Sequence, residues 1–275
     1  MSRARVRYFR PSGLQGVELL SCRDSSFDFP RHFHPTYCIW LNVNGGEQYA
    51  LGGHTDILQP SEFGIVAPGE VHANRAIDRT DRNLMTFYVQ AEKLHKIAGQ
   101  SGATAASAGV FRSRSYRDPE CRRLLVQLYA CLQHSPSLLE QESAFLEVFS
   151  LLVRRHGVTG TVENPLAVDR SRVRRIIDLL HDRLAENVSL EELARHVDCT
   201  PYHLIRFFKK TSGLTPYAYL LHLRLERARE LIWAGNHLVE VALQTGFSDQ
   251  SHLTRHFKAL YGITPGECRR QSLRH

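Results

Sequence analysis

The chain has 275 residues, of which 43% are hydrophobic and 23% are charged, and its formal net charge is +7. This length suits about two domains with separate cores, and this composition excludes a disordered or fibrous protein. No apolar run approaches the roughly 18 residues of a membrane span, and the Arg-rich start MSRARVRYFRP lacks the apolar stretch of a secretory signal, so we predict a cytoplasmic protein with no membrane partner.

The six cysteines are scattered along the chain without a C-x-x-C pair. We therefore predict reduced thiols, no disulfide framework and no cysteine-bound zinc. The positive charge is uneven: residues 167–275 hold 17 Lys and Arg against 12 Asp and Glu, whereas residues 1–166 hold 18 against 16. A polyanionic partner is thus expected to meet the C-terminal part.

Residues 17 to about 90 alternate short strand patterns with turn clusters. The strand patterns are TYCIWLNV, EQYAL, EFGIVA and LMTFYVQ, and the turns are NVNGGE, LGGHTD, QPSE and APGE. Strands at this spacing favour a small barrel or sandwich. After them, AEKLHKIAGQ predicts one short helix and SGATAASAG predicts a flexible loop.

The hydrophobic period becomes helical over residues 118–156, which predicts two amphipathic helices packed as a hairpin and broken at Ser135-Pro136. The apolar positions exceed what one narrow stripe needs, and they include Leu139, Phe145, Leu146, Phe149 and Leu152. These side chains either cover the barrel or form the contact of a homodimer, and the sequence leaves both alternatives open. The following segment, GVTGTVENPLAV, has the composition of a linker.

One fourteen-residue segment occurs twice in the C-terminal part. HLIRFFKKTSGLTP begins at His203, and HLTRHFKALYGITP begins 49 residues later at His252, with eight identical positions. Each copy follows a short predicted helix and a turn, and the turn of the second copy is one residue longer. A long helix, PYAYLLHLRLERARELIWAG, joins them. The repeat therefore predicts two helix-turn-helix motifs, at about 189–210 and 237–260.

Local signals mark where these helices begin and turn. Ser189 and Glu192 form a capping box, and Thr200 can cap a helix that begins at Pro201, where a missing N–H costs nothing. In the second copy, Gly246 supplies the permissive backbone that a tight turn favours.

In each predicted motif, the second helix buries leucine and phenylalanine on one face and carries basic side chains on the opposite face. A major groove about 12 Å wide admits one α-helix, and groove faces recur about every 34 Å along one side of B-DNA. A connecting helix of about 18 residues spans roughly 27 Å, which suits two adjacent groove segments. We therefore predict double-stranded DNA as a partner. The candidate contact residues are Tyr202, His203, Arg206, Lys209 and Lys210 in the first helix, and Gln250, Ser251, His252, Thr254, Arg255 and Lys258 in the second.

The segment GFSDQSHLTRHFKALYGITPGECRR resembles the signature of the AraC/XylS family of bacterial transcription regulators, and the resemblance covers about the last 100 residues. It implies that the helices starting near Pro201 and Asp249 enter the major groove. The reading positions it implies are Tyr202, Arg206, Gln250 and Arg255. Ile205 departs from the pattern, because some members of the family carry a polar base contact there, and this makes base readout by the first helix less assured.

With this resemblance, we predict an α+β multi-domain protein. Residues 1–117 form a cupin-like, effector-sensing β-barrel, residues 118–156 a helical hairpin that is a candidate dimer contact, and residues 157–168 a linker. An all-α DNA-binding domain of the AraC type follows over residues 169–275. The family implies that the barrel binds a small inducer and changes how the DNA-binding half is presented. It also implies activation as the commoner mode, with RNA polymerase as a partner.

Three histidines of the barrel raise the question of a metal. His32 and His34 alternate onto one strand face, and His72 follows a Pro-Gly turn, as in the cupin pattern, so the three can meet as ligands. A typical metal cupin also has a Glu a few residues after the second His, whereas residues 35–41 contain no carboxylate; Glu47 and Glu70 are out of pattern. We therefore favour an effector pocket without a cofactor. Its candidate lining residues are His32, His34, Tyr37, Trp40, Tyr49, His72 and Asn74.

Three other functions stay open at this point. The first is a metal-dependent cupin enzyme with an accessory helical domain, although we predict that the chain is not an enzyme. The second is a DNA-repair alkyl acceptor, which the dispersed cysteines disfavour because that chemistry uses a cysteine zinc cluster and an activated thiol. The third is a regulator without a ligand, whose barrel makes only protein contacts.

Overall fold

The computed structural model describes residues 5–11, 13–25, 27–77, 82–100, 110–135, 137–158 and 167–272. The chain divides into two compact units, Met1–Val162 with Gln271–His275, and Glu163–Arg270. The loop predicted at SGATAASAG and most of the predicted linker lie outside the described residues.

The first unit contains two antiparallel sheets. Their strands are β1 Arg5–Phe9, β2 Val17–Ser25, β3 Phe29–His32, β4 Tyr37–Asn44, β5 Glu47–Leu51, β6 His54–Leu58, β7 Phe63–Val66, β8 His72–Ala76, β9 Arg82–Val89 and β10 Arg114–Tyr116. The larger sheet has the order β1-β2-β9-β4-β7-β10, and the smaller sheet has the order β3-β8-β5-β6. These two sheets confirm the small barrel or sandwich predicted from the strand patterns, and their layout is the cupin-like one that the resemblance implies.

Strand β4 is buried on both of its faces. Ile39 and Leu41 belong to the core that packs against helices, whereas Cys38 and Trp40 line a cavity between the two sheets. This double burial explains why YCIWL is continuously apolar rather than alternating.

Three helices, α1 Ala91–Gln100, α2 Pro119–His134 and α3 Leu138–His156, complete the first unit. Phe145, Phe149 and Leu152 of α3 are buried in one cluster with Phe87 of β9, so this face of the hairpin covers the larger sheet. Leu146 lies outside the cluster and is exposed. The side chain of Leu139 is outside the described part of the chain.

The second unit is helical. Its helices are α4 Ala167–Asp182, α5 Leu190–His196, α6 Pro201–Ser212, α7 Pro216–Trp233, α8 Leu238–Gln244, α9 Gln250–Tyr261 and α10 Pro265–Ser272. The pairs α5–α6 and α8–α9 are the two helix-turn-helix motifs, and α7 is the long helix between them. Among the described residues, no helix combines the length and apolar character that a bilayer crossing requires.

All six cysteines are free thiols, in agreement with their dispersed spacing.

Candidate nucleic-acid interface and barrel site

Helices α6 and α9 begin and end in the same way. The Thr200 hydroxyl accepts a hydrogen bond from the His203 backbone N–H at 3.3 Å, and the Asp249 carboxylate accepts one from the His252 N–H at 2.8 Å. Both helices then stop at a glycine with positive φ, 80° at Gly213 and 72° at Gly262. The shared caps give the two helices the same length, 12 residues each.

The buried faces of the two helices also correspond. Leu204 and Phe208 of α6 match Leu253 and Phe257 of α9, and all four side chains are fully buried. The opposite faces carry the predicted DNA-contacting residues. Those that are exposed are His203, Arg206, Lys209 and Lys210 in α6, and Gln250, Ser251, Arg255 and Lys258 in α9.

Three predicted contact residues stand apart from this exposed set. His252 is only partly exposed: its Nδ1 lies 3.1 Å from the Ser248 hydroxyl, and its ring contacts Phe247 with centroids 5.4 Å apart. These contacts tie His252 to the turn before α9. Thr254 is half-buried, and the side chain of Tyr202 lies outside the described part of the chain.

The two turns share a backbone pattern although their residues differ. The Cys199 N–H donates to the Ala194 carbonyl at 3.0 Å, and the Phe247 N–H donates to the Ala242 carbonyl at 2.9 Å. Just before these donors the chain takes positive φ, 53° at Asp198 in the first turn and 76° at Gly246 in the second. The second turn is one residue longer, as the repeat predicts.

Arg224 of α7 fastens the second turn to the rest of the unit. Its guanidinium donates to the carbonyls of Leu184, Glu186 and Gly246 at 2.8, 2.8 and 2.9 Å. We call this arrangement the Arg224 clamp. Burial lowers the pKa of Arg224, and the three carbonyl acceptors offset the loss of water around its charge.

In the barrel, the structure brings together the three histidines singled out from the sequence. His32, His34 and His72 are 5%, 7% and 3% exposed. One ring nitrogen from each lies within 4.8 Å of the other two. Antiparallel pairing of β3 with β8 causes this, because His32 is the register partner of His72 and His34 follows two residues later.

Backbone carbonyls orient two of these rings. Nδ1 of His32 lies 2.6 Å from the Pro30 carbonyl oxygen, and Nδ1 of His72 lies 3.1 Å from the Glu70 carbonyl oxygen. A carbonyl oxygen only accepts hydrogen bonds, so Nδ1 is the donor in both contacts.

The other predicted lining residues divide between two faces. Trp40 and Asn74 line the cavity between the sheets, and Tyr49 packs against Trp40 with ring centroids 5.5 Å apart. Tyr37 lies on the opposite face of β4, in the core under the helices, where its hydroxyl accepts a hydrogen bond from the Val110 N–H at 2.7 Å. The structure therefore does not bring Tyr37 together with the other predicted effector residues, because successive strand residues point to opposite faces.

A buried ion pair beside this cavity was not predicted from the sequence. Arg82 Nη1 donates to Glu47 Oε1 at 2.6 Å, both side chains are fully buried, and Asn42 donates to the same carboxylate at 3.1 Å. Glu47 is thus engaged by Arg82, and Glu70 is exposed. The only sequence signal was a charge at the start of each of two apolar strands, which does not identify a pair.

Two cavities of different size flank the smaller sheet. The one between the sheets has a volume of about 20 Å³, and His32, Cys38, Trp40, His72 and Asn74 are among its lining residues. Burial raises the pKa of the Cys38 thiol, so this cysteine is not an activated nucleophile.

The second cavity, about 350 Å³, has Gln48, Ala50, Ala73 and Arg75 in its lining. In the register of β5 and β8 these residues pair with one another and alternate with the buried Tyr49 and Asn74. Tyr49 and Asn74 also line the larger cavity, so it borders two of the predicted effector residues.

A second group of metal-type side chains, Asp118, Cys121 and His156, joins α2 to α3. The Asp118 carboxylate caps α2 through the Cys121 N–H at 3.0 Å and lies 2.9 Å from Nε2 of His156. Burial raises the pKa of Asp118, but the hydrogen bonds from Cys121, His156 and Arg155 outweigh it and hold the pKa well below its ordinary value. Since the carboxylate already has these donors, the group serves as a structural tie.

Comparison with known families gives two matches. Residues 14–149 match the model of the AraC-like ligand binding domain, and residues 193–271 match the model of a helix-turn-helix domain. The two models together cover most of the chain and both described units.

Among named relatives, the chain is similar to transcription regulators along most of its length. It is 29% identical over 226 residues to YbfI of Bacillus subtilis (strain 168), an uncharacterized transcriptional regulator, covering 82% of this chain and 81% of YbfI. It is 26% identical over 271 residues to the transcriptional activator RhaS of Escherichia coli O81 (strain ED1a), covering 95% and 94%.

Among solved structures, the fold is similar to that of ToxT from Vibrio cholerae. The apo form aligns with a TM-score of 0.62 at 10% identity, covering 94% of this chain and 98% of that one. A ToxT structure with a bound unsaturated fatty acid aligns with a TM-score of 0.57 at 12% identity, covering 98% and 97%. At these identities the likeness concerns the fold alone.

Proposed function

Since this chain belongs to the AraC family of DNA-binding transcription regulators, we propose that it reads two adjacent major-groove segments of one operator, α6 in the first and α9 in the second. The observation that carries this proposal is the matched pair of capped helices, each with a buried Leu-Phe face and an exposed basic face. The 18 residues of α7 span roughly 27 Å, close to the 34 Å repeat of the groove.

Individual side chains have different roles in this proposal. Arg206 and Arg255 occupy the same position in the two helices and are long enough to reach guanine edges or phosphates. Lys209, Lys210 and Lys258 lie one turn later and contact phosphates. Gln250, at the first position of α9, pairs with adenine.

We further propose that the protein is an effector-responsive activator in the cytoplasm, with RNA polymerase as its partner. The match of residues 14–149 to a ligand-binding domain and the similarity to the activator RhaS support this. The effector is a small molecule, and its candidate contacts are Tyr49 and Asn74, which both line the larger cavity of about 350 Å³. It acts only if it binds one state of the regulator more tightly than the other, so the binding energy difference sets the size of the response.

The hairpin offers a homodimer contact. Leu138 and Leu146 of α3 are 49% and 48% exposed, whereas the residues between them include the buried Gln141 and Phe145. We propose that these leucines pack against the same leucines of a second copy of the chain. The homodimer would then bind one operator with two pairs of helix-turn-helix motifs.

The experiment that tests the proposed DNA reading begins with selection of fragments from the genome of the source organism by the full chain. Affinity for the selected fragment is then measured by fluorescence anisotropy at several salt concentrations. The double variant Arg206→Ala/Arg255→Ala is expected to lose about 30-fold or more in affinity, because two charge-assisted contacts worth about 1–3 kcal/mol each disappear.

The matched control is Arg112→Ala/Arg123→Ala, which removes the same charge from exposed positions of the first unit. It should change affinity by less than about threefold, which separates local contacts from net charge. Unchanged affinity and salt dependence in the Arg206/Arg255 variant would refute the proposed interface.

A further inference from the structure

We propose that His32, His34 and His72 form a binding site for one divalent transition-metal ion, with zinc as the expected occupant. The proposal concerns the first unit only and does not depend on how the second unit reads DNA.

The first argument is the geometry of the ligand atoms. Three imidazole nitrogens, one per ring, lie within 4.8 Å of one another. Two nitrogens bound to the same tetrahedral zinc ion at about 2.05 Å are about 3.3 Å apart, so small rotations of the rings close the remaining gap. The ring centroids of His32 and His72 are already only 4.2 Å apart.

The second argument is the orientation of the rings. In protein metal sites, a ligating histidine commonly donates its other ring N–H to a carbonyl or carboxylate, which fixes the tautomer and aims the lone pair at the metal. His32 and His72 both donate Nδ1–H to backbone carbonyls, those of Pro30 and Glu70. Each carbonyl belongs to the residue two positions before the histidine, so the local backbone fixes the orientation of both rings.

The third argument is burial together with ligand type. All three rings are more than nine-tenths buried, so water cannot compete freely for an ion bound between them. Imidazole nitrogens suit zinc, copper, iron and nickel, whereas magnesium and calcium prefer oxygen ligands. A set of three imidazole ligands therefore favours a first-row transition metal.

A fourth ligand would enter from the cavity between the sheets, which His32 and His72 help to line. A volume of about 20 Å³ holds roughly one water molecule and not a sugar or a fatty acid. Asn74 lines the same cavity and could bond a metal-bound water through its amide. A three-histidine site with one exchangeable position is the arrangement that the described residues offer.

The test uses the full chain without a polyhistidine tag, stripped of metal with EDTA and titrated with Zn²⁺ and Co²⁺. One equivalent of either ion per chain is expected by elemental analysis, with the visible absorption of four-coordinate Co²⁺. The unfolding midpoint of the first unit should rise by about 5 °C at a hundredfold excess of Zn²⁺ over the dissociation constant.

His32→Gln and His72→Gln should each weaken zinc binding by about 100-fold or more. The matched control, His54→Gln, changes an exposed histidine of β6 in the same sheet and should keep one equivalent. Should one of the first two variants fail to fold by circular dichroism, His34→Gln provides the same comparison.

Uptake of less than a tenth of an equivalent by the wild-type chain overturns the proposal, as does equal binding by the His72→Gln and wild-type chains. Operator binding is measured on the same preparations. A chain that binds DNA but no zinc refutes only the metal site, and a chain that binds zinc but no DNA refutes only the proposed function.

Discussion

The two helix-turn-helix motifs share a backbone hydrogen-bond pattern in their turns but stabilise it with different residues. In the first, Ser189 caps α5 by accepting a hydrogen bond from the Glu192 N–H at 3.1 Å, and Asp198 holds the positive φ of the turn. In the second, His237 precedes α8 without a side-chain cap bond, and Gly246 takes the strained position at no steric cost. The duplicated geometry therefore depends on hydrogen-bond pattern and buried face rather than on residue identity, and each copy has its own weak point.

The largest expected effect is at the turn of the second motif. An alanine Cβ at position 246 would lie 2.8–2.9 Å from the Arg224 guanidinium at a φ of 76°. Gly246→Ala should destabilise the second unit by about 2–4 kcal/mol, because left-handed backbone costs about 1–2 kcal/mol and the Arg224 clamp is displaced. Hydrogen exchange of peptides from α7 to α9 measures this loss.

Gly266→Ala is the control for that change, since its Cβ would meet only Arg270 at 3.8 Å, within an ordinary helix. Equal protection from hydrogen exchange in the Gly246→Ala and Gly266→Ala variants would show that the turn tolerates a side chain and that the Arg224 clamp adds little stability.

The next effect compares the two readers. Arg255→Ala should reduce DNA affinity by about 1–3 kcal/mol and relax discrimination between bases. Arg206→Ala should weaken binding to all DNA sequences equally and reduce the slope of log affinity against log salt concentration by about 0.9. The reason is that Ile205 of α6 is exposed and occupies the position that Thr254 occupies in α9. An isoleucine side chain cannot form a hydrogen bond with a base edge, so α6 is expected to discriminate less between bases. Affinity for the selected operator and for single-base variants of it checks both. Greater loss of discrimination in Arg206→Ala would reverse the assignment.

A smaller effect comes from exchanging the caps. Ser189→Ala should destabilise the first motif by about 1 kcal/mol, and His237→Ser should stabilise the second by about 0.5–1 kcal/mol, because a serine hydroxyl can accept from an unpaired N–H at the helix start. Thermal unfolding of the second unit measures both. If His237→Ser gives no gain, the start of α8 does not resemble that of α5 as closely as the backbone indicates.

The smallest effect is at Asp198. Asp198→Gly should stabilise the first motif by about 0.5–1 kcal/mol, because glycine adopts the φ of 53° without the steric cost that a side chain brings. Asp198→Ala serves as the contrast, since it removes the carboxylate but keeps the strain. A gain in the alanine variant as large as that of the glycine variant would point to charge, not backbone strain, as the cause.

Much of the helical half could be predicted from sequence because its signals are local. The repeat can be read directly from the chain, and the capping box at Ser189 and the Thr200 cap each depend on a few neighbouring residues. The corresponding helices begin where these residues lie. The exposed basic faces followed from helical period alone. His252 was harder to place, because its contacts with Ser248 and Phe247 depend on how the turn folds back.

The barrel site was less accessible to sequence reasoning because it depends on pairing between distant strands. Tyr37 and Trp40 lie in one apolar run, three residues apart and hence on opposite faces of a strand, but only the packing shows which face borders the cavity. The pairing of Glu47 with Arg82 joins residues that are far apart in sequence and have no shared pattern. The convergence of the three histidines was visible as a possibility, but the carbonyls that orient two of their rings were not.

If α6 and α9 read adjacent groove segments as proposed, the Arg224 clamp has a consequence for the spacing of operator half-sites. It ties the connecting helix, the segment after α4 and the turn before α9 through a single side chain. These hydrogen bonds restrict rotation of α9 relative to α7, so the distance and angle between the two recognition helices are expected to be fixed. Each base pair inserted between the half-sites rotates one half-site against the other by about 35°. A protein with a fixed angle between its recognition helices cannot follow that rotation.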